Sequence, residues 1–449
     1  MFSQFVSVST KVFKIKETPH RICFDSQSGK VSAIEDKYCA SIELDDNPII
    51  PSSIEQSPFA PKSFIENKGL VNSVLNSYAE NSNRISGTSV VIMPTSQCNF
   101  SCAYCGQIHR NGNMTRPIES GVVERIEERI KKLNPEKDQL NISWFGGEPL
   151  LGIKSILRIS NKINRLCDKI GVSWRSKMPT NGYLLTVDNF VRLYSESHLR
   201  EVEVTLDGPR EAHDSSRPLK FHGASNFDII LNNLTQISTL DGIDDFSGSI
   251  RVNVHAGNIE KIPELIELIA ATGICKSVFS MNIVPVYDWG DEKADGKIDR
   301  IEFSDWELNM CRLMQTLGVS HSLFPISPSK SICTAVDKFS EVITTNGRIF
   351  SCTEEPLAPS LDPSRSVGHV LTLSPKQRRP RGEFDTWIEE GIKSGHSHCS
   401  KCSVLPLCGG SCPKQWYEGN IPCPPWKFNI SERLDELGIR MGFEIYESA

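Results

Sequence analysis

The sequence predicts an α/β protein, a partial (β/α)6 barrel preceded by a small N-terminal α+β segment and followed by a cysteine-rich domain stapled by metal. Three observations carry this prediction. From residue 89 to about 317, short β-rich runs alternate with amphipathic helical stretches, the pattern of parallel strands joined by crossover helices. Six such runs suit an incomplete barrel better than a closed eight-fold one. Beyond about residue 318 the alternation fades and Cys, Pro and Gly accumulate, so that region needs metal staples in place of a large apolar core.

The chain has 449 residues, enough for two or three domains, and the expected segments are 1–86, 87–317, 318–430 and a C-terminal helix within 431–449. A net charge of −6 argues against a nucleic-acid or membrane-surface role. No apolar run reaches the roughly 18 residues of a membrane helix, and the N-terminus alternates in polarity. Neither a transmembrane segment nor a signal peptide is expected, which points to the cytoplasm. Fifteen cysteines in a reducing compartment read as metal ligands before disulfides.

Element by element, residues 11–16 and 21–24 read as a hairpin with polar turn residues at 25–30. A Ser/Pro/Asn-rich stretch over 48–63 and a helical pattern over 65–78 follow. Cys23 and Cys39 read as small buried residues. Strands are expected at 90–93, 140–145, 172–178, 202–206, 250–254 and 279–284. Helical spacing joins Val122, Val123, Ile126 and Ile130, then Ile153, Ile156, Leu157 and Ile163, and later Ile259, Ile262, Leu265, Ile266 and Ile269.

Directly after the first strand stand Cys98, Cys102 and Cys105, spaced C-x3-C-x2-C with Tyr104 before the last. That loop falls at the C-terminal rim, where barrels place their chemistry. A structural zinc site takes four ligands. Three thiols on a short loop suit a [4Fe–4S] cluster with one open iron, against the competing reading of a zinc knuckle or unrelated thiols. The second strand runs into Gly146-Gly147-Glu148-Pro149, which alone is only a turn. The third reaches Thr180-Asn181-Gly182, and the fourth Thr205-Leu206-Asp207-Gly208-Pro209, then His213, Asp214 and Arg217.

Together these motifs resemble the radical S-adenosylmethionine (SAM) enzymes. In that family the open iron binds SAM, and an electron cleaves it to a 5′-deoxyadenosyl radical that abstracts hydrogen from a C–H bond. The resemblance implies a SAM pocket built from Tyr104, Gly146, Gly147, Glu148, Pro149, Asn181, Thr205, Asp207 and Arg217. The GGEP turn would receive the methionyl amino group, and Thr205 and Arg217 the carboxylate, for which a guanidinium is suited. Asp207 would hold the ribose or shape the turn, and His213-Asp214 is equally an ordinary helix start. Gly106 stands where relatives often carry an aromatic residue, which alters packing over the cluster.

Further on, Cys333, Gly347 and Cys352 fit C-x13-G-x4-C, and Cys399, Cys402, Cys408 and Cys412 fit C-x2-C-x5-C-x3-C, with Cys423 after ten more residues. This pattern resembles the SPASM domain of peptide-modifying radical SAM enzymes, so the resemblance spans residues 88 to about 430. It implies Cys333, Cys352 and Cys412 around auxiliary cluster I, and Cys399, Cys402, Cys408 and Cys423 around auxiliary cluster II. With the cluster at Cys98, Cys102 and Cys105 the total is three [4Fe–4S] clusters. Full ligation with one SAM site needs about eleven thiolates, whereas the motifs supply ten. Either auxiliary cluster I keeps an open iron, or Cys311 reaches it from the pattern over 306–317. Cys167 and Cys275 read as core residues.

The resemblance implies an oxidoreductase acting on a ribosomally made precursor peptide or a protein, forming an oxidative carbon–carbon or thioether cross-link. Its partners would be that substrate and a reducing donor such as flavodoxin or ferredoxin, with no nucleic acid and no membrane. The N-terminal segment would present a leader peptide by strand addition. The rival within enzymes is an anaerobic sulfatase maturase, which makes formylglycine and carries an aspartate base after the second SPASM cysteine. Here Thr353 follows Cys352, leaving Glu354 and Glu355 as candidate bases. A non-catalytic iron–sulfur carrier is the third reading, and it has no use for a SAM pocket.

Overall fold

A computed structural model describes residues 5–15, 18–37, 39, 70–85, 89–110, 112–220, 225–286, 298–357 and 365–446. The Ser/Pro/Asn-rich stretch over 48–63 and the start of the helical pattern at 65 lie outside these residues. Four strands open the chain: β1 (Val6–Val8), β2 (Phe13–Ile15), β3 (Thr18–Asp25) and β4 (Lys30–Glu35). Antiparallel β2 and β3 form one hairpin and β3 and β4 a second, closed across the turn at Asp25–Lys30. The Asp25 carboxylate builds that turn by accepting from the Ser28 hydroxyl at 2.6 Å and the Gln27 N–H at 3.0 Å. A helix at Leu70–Ser82 follows.

The barrel strands are β5 (Ser89–Thr95), β6 (Gln139–Gly146), β7 (Ser173–Thr180), β8 (Leu199–Thr205), β9 (Ser247–Val254) and β10 (Phe279–Pro285). All six pair in parallel and in chain order, an open barrel as expected from the strand–helix alternation. The crossover helices bury the apolar stripes that mark them. Ile118, Val122, Ile126 and Ile130 of the helix Arg116–Ile130 are buried, as are Ile156, Leu157, Ile159 and Ile163 of Ile153–Ile170. These side chains share one core with Val90 and Ile92 of β5 and Leu140, Ile142 and Trp144 of β6. Each fully buried Ile or Leu contributes roughly 1.5–3 kcal/mol.

Two pairings were not expected. β11 (Glu341–Ile343) lies parallel to β5, and antiparallel β12 (Arg348–Phe350) and β13 (Gly368–His369) continue outward, so the cysteine-rich region extends the barrel sheet to nine strands. Arg125 fixes the junction, its guanidinium forked onto the buried Glu341 carboxylate. At the other end, residues 431–446 are more than a helix. After the helix Ile430–Arg440 comes β14 (Glu444–Ile445), which pairs with β2 and completes the N-terminal sheet. The Lys11 N–H donates to Asp435 of that helix at 2.7 Å. Among the described residues no helix is long and apolar enough to cross a membrane.

Candidate functional site

β5 ends at Thr95 and the chain turns into the loop of Cys98, Cys102 and Cys105. That loop is stitched down along its length. The Ser101 and Ala103 N–H groups donate to the Pro218 and Ser216 carbonyls, both at 2.9 Å, and Ile108 N–H donates to the Leu357 carbonyl at 2.8 Å. Phe100 anchors it, fully buried and edge-on to Tyr183 with ring centroids 6.0 Å apart. The three thiols stay partly exposed on the wall of a cavity of about 380 Å³. Burial raises the Cys98 thiol, and lifts Cys102 to about 12 against the pull of the Arg217 charge. Such thiols take metal by releasing protons.

The end of β6 lies against this loop. Gly146 has φ 129°, and a side chain there would meet the Thr95 carbonyl oxygen at 2.3 Å. At Gly147 it would meet the Gln97 carbonyl oxygen at 2.3 Å and His109 Nδ1 at 2.9 Å. Only glycine allows this approach, and both glycines border the cavity. Glu148 and Pro149 do not. The buried Glu148 carboxylate accepts from the Leu150 N–H at 3.0 Å, the Thr180 hydroxyl at 2.7 Å and the Asn181 N–H at 2.8 Å. It braces the β6 and β7 turns, and although burial raises its pKa, those three bonds pull it back. Asn181 borders the cavity, with its amide donating to Asn99 Oδ1 at 2.8 Å.

At the end of β8, Thr205 lines the cavity while Asp207 lies wholly buried behind it. Asp207 accepts from the Asn253 N–H at 2.7 Å and from the Tyr104 hydroxyl. Arg217 Nη1 donates to the same hydroxyl at 2.5 Å and stands 3.4 Å from the Asp207 carboxylate. Asp207 therefore shapes the turn and holds Tyr104, and is not placed to touch a ligand in the cavity. His213 lies inside the helix Arg210–Ser216, and its Nδ1 accepts the Asp207 N–H at 3.1 Å. Burial, reinforced by the Arg217 charge, holds it neutral well below the ordinary histidine range.

The seven remaining motif cysteines divide into two groups. Cys399, Cys402, Cys408 and Cys423 surround one small enclosed space beside Trp416 and Lys427, and Lys427 Nζ donates to the Cys423 sulfur at 3.3 Å. Cys333 and Cys352 pack against Ala335 and Phe384, and the Cys333 thiol feels the charge of Cys412. A left-handed turn separates Cys408 from Cys412: Gly409, Gly410 and Ser411 have φ of 64°, 91° and 60°. That turn aims the two thiols at different groups. Burial raises Cys333 and Cys399 to about 11 and Cys408 to about 12.

Glu354 reaches the cavity of the first three cysteines, whereas Glu355 does not. Glu355 is buried, accepts the Cys352 N–H at 3.4 Å and faces Arg365 at 3.9 Å. Cys311 is also elsewhere, in the helix Arg300–Thr316, where its thiol donates to Glu307 Oε1 at 3.3 Å. Cys23, Cys39, Cys167 and Cys275 are buried. The cavity adds Glu203, Arg251, Asn253, His109 and Lys414, which the motifs do not mark. Strand alternation could have found three of these, since Glu203 shares the parity of Thr205 on β8, and Arg251 and Asn253 share one parity on β9.

These residues suit a sulfur-ligated cluster and an anionic ligand. Arg217 Nε is buried at the cavity wall with no hydrogen-bond partner among the described residues, a donor that a carboxylate would satisfy. Among the described residues no three His, Cys, Asp or Glu side chains are placed to hold one metal ion. A cluster does not need that closeness, because each thiolate takes a different iron.

Residues 92–294 match the family model described as the Radical SAM superfamily, so the chain carries a radical SAM domain. Such a domain implies SAM and a [4Fe–4S] cluster. The chain is 25% identical over 203 residues to the radical SAM cyclopropyl synthase TigE of Paramaledivibacter caminithermalis, covering 40% of this chain and 41% of that protein. It is 27% identical over 123 residues to the serine-type anaerobic sulfatase-maturating enzyme of Klebsiella aerogenes, covering 27% of this chain and 30% of that one. Both matches thus span less than half of the relatives' lengths. A solved structure of anSMEcpe with bound AdoMet and a Cp18Cys peptide is similar with a TM-score of 0.53 at 18% identity, covering 79% of this chain and 97% of that chain. That likeness is one of fold.

Proposed function

We propose, on the premise of a radical SAM domain at residues 92–294, that this chain is a peptide maturase holding three [4Fe–4S] clusters. Its reaction would be oxidative cross-linking of a ribosomally made precursor peptide, with a carbon–carbon or thioether bond formed. One observation carries the reading: a single cavity joins the Cys98–Cys102–Cys105 loop, the Gly146-Gly147 turn and Arg217 to Glu354 and Lys414. Glu354 and Lys414 each stand two residues from an auxiliary-cluster cysteine, Cys352 and Cys412. A substrate in that cavity lies between the site that makes a radical and a group that can take the product's second electron.

When bound, SAM and its cluster supply a 5′-deoxyadenosyl radical. The chain's own residues do the rest. Cys98, Cys102 and Cys105 hold three irons, Gly146 and Gly147 give the ligand close backbone approach, and Thr205 and Arg217 orient its carboxylate. Cys333, Cys352 and Cys412 hold auxiliary cluster I, and Cys399, Cys402, Cys408 and Cys423 hold auxiliary cluster II. Phe145, Leu357 and Val286 give the cavity apolar walls that limit water around a reactive radical. A donor such as flavodoxin or ferredoxin would supply the electron. The outer edge of β4, which pairs only with β3 among the described residues, offers a place for a leader peptide to add a strand.

Sulfatase maturation is the second reading, favoured by the match to the Klebsiella aerogenes enzyme and weakened by Thr353 at the position where the resemblance places an aspartate. Incubation with SAM, reductant and two substrates separates the readings by mass spectrometry. A precursor peptide encoded beside this gene should lose two hydrogens and gain a cross-link seen in its fragments. A sulfatase-derived Cys or Ser peptide should remain unchanged; formylglycine in it would favour the second reading.

A further inference from the structure

Auxiliary cluster I presents an accounting problem. Its three thiolates would be Cys333, Cys352 and Cys412, and a cubane has four irons. Cys311 cannot serve as the fourth ligand, because its thiol bonds Glu307 and its electrostatic neighbours are Arg433 and Arg440. The Cys333 thiol instead feels Cys412, the Cys352 thiol feels Cys333 and Glu354, and the Cys412 thiol feels Glu354. The other non-motif cysteines are buried apart from this group, Cys167 and Cys275 in the barrel core.

Glu354 has an oxygen to spare. It borders the cavity, and among the described residues its hydrogen bond is from the Thr353 hydroxyl at 3.3 Å. The cations nearby are committed to other groups. Lys414 Nζ pairs with Glu418, and Arg251 donates to Asn253 Oδ1 at 2.9 Å and faces Glu203 at 3.6 Å. Glu355, one residue on, is satisfied by the Cys352 N–H and Arg365. Lys414 and Arg251 act on the Glu354 charge without pairing with it, which leaves a carboxylate oxygen at the cavity wall available to a further partner.

We propose that Glu354 supplies an oxygen ligand to the fourth iron of auxiliary cluster I, closing a Cys3Glu set at the wall of the SAM cavity. This rests on the cluster assignment of the proposed function and moves Glu354 from candidate base to ligand. A carboxylate is a harder and more exchangeable donor than a thiolate. It would keep that corner occupied by protein while leaving it the most readily displaced.

The test uses the full chain carrying Cys98→Ala, Cys102→Ala and Cys105→Ala, which removes the open iron of the first cluster. Anaerobically reconstituted protein is compared with and without Glu354→Ala by iron content, electron paramagnetic resonance of the reduced clusters and binding of cyanide. With Glu354 present, cyanide has to displace the carboxylate and should bind at least about tenfold more weakly than in Glu354→Ala; equal cyanide affinity in the two proteins overturns the proposal. Glu354→Ala should keep the iron, change the signal of one cluster and bind one equivalent of cyanide. Should that variant lose the cluster, Glu354→Cys should restore it, and failure to restore it counts against the proposal. An unchanged signal with no cyanide bound in Glu354→Ala overturns the proposal while leaving the cluster in place. If Cys333→Ala loses no iron, the cluster assignment itself fails, and the proposal with it.

Discussion

The Tyr104 hydroxyl donates to the Asp207 carboxylate, tying the cysteine loop to the end of β8. Two further donors meet that hydroxyl, Arg217 Nη1 at 2.5 Å and Asn253 Nδ2 at 3.1 Å. One phenol oxygen thus sets the distance between the loop of the first cluster and the arginine at the cavity wall. Tyr104→Phe keeps the ring and removes the junction. Hydrogen bonds to charged groups are worth about 1.5–3 kcal/mol each, so SAM affinity should fall roughly tenfold or more. Iron content should hold. Isothermal titration with SAM checks this, and unchanged affinity would show that the loop keeps its place without the phenol.

Arg217→Ala removes the buried guanidinium whose Nε is unmet at the cavity wall. SAM affinity should fall tenfold to a hundredfold, from a loss of about 1.5–3 kcal/mol, with iron content unchanged. Arg217→Lys keeps the charge and loses the fork, so it should recover only part of the loss. An unchanged SAM dissociation constant in the Ala variant would reduce Arg217 to a brace for Tyr104.

The sequence left Cys311 open as an eleventh ligand, and its position beside Glu307 makes it a core thiol. Cys311→Ala should leave cluster number and spectrum intact. It should cost about 1–2 kcal/mol of stability from a lost hydrogen bond and a small cavity, read as a lower urea midpoint. Loss of four irons in this variant would contradict the placement.

What the sequence makes legible follows from range. The six barrel strands and their helices announce themselves through local periodicity, so Val122, Ile126 and Ile130 are buried as their spacing implies. Gly146 and Gly147 are legible as points of close approach. Glu148 and Asp207 are not, because a carboxylate in a motif looks the same whether it meets a ligand or its own fold. Thr180 and Asn181 take the first, and Tyr104 and the Asn253 backbone take the second. The pairing of β11 with β5 joins residues some 250 positions apart through a three-residue strand, which no local pattern encodes. Lys414, nearly buried beside Cys412, carries no signal of its placement.

His213 makes stability depend on pH. Burial holds it neutral well below the ordinary range, whereas the unfolded chain protonates it near pH 6.5. Below that pH the unfolded state binds more protons, so stability is intact above about pH 6.5 and falls as pH drops beneath it, by up to about 1.4 kcal/mol per unit. His213→Asn preserves an acceptor for the Asp207 N–H and removes the titration. Urea midpoints at pH 7 and 5.5 should converge in the variant relative to the parent. An equal pH slope in both would assign the acid sensitivity to other groups.

The most direct measurement is reductive SAM cleavage by the cysteine loop. Anaerobically reconstituted protein should bind about twelve irons as three clusters and release 5′-deoxyadenosine when given SAM and a low-potential reductant. The combined variant Cys98→Ala, Cys102→Ala and Cys105→Ala should lose about a third of the iron and all of the 5′-deoxyadenosine, with the auxiliary clusters retained. Continued 5′-deoxyadenosine production by that variant, quantified by liquid chromatography, would contradict the assignment of the SAM cluster to this loop.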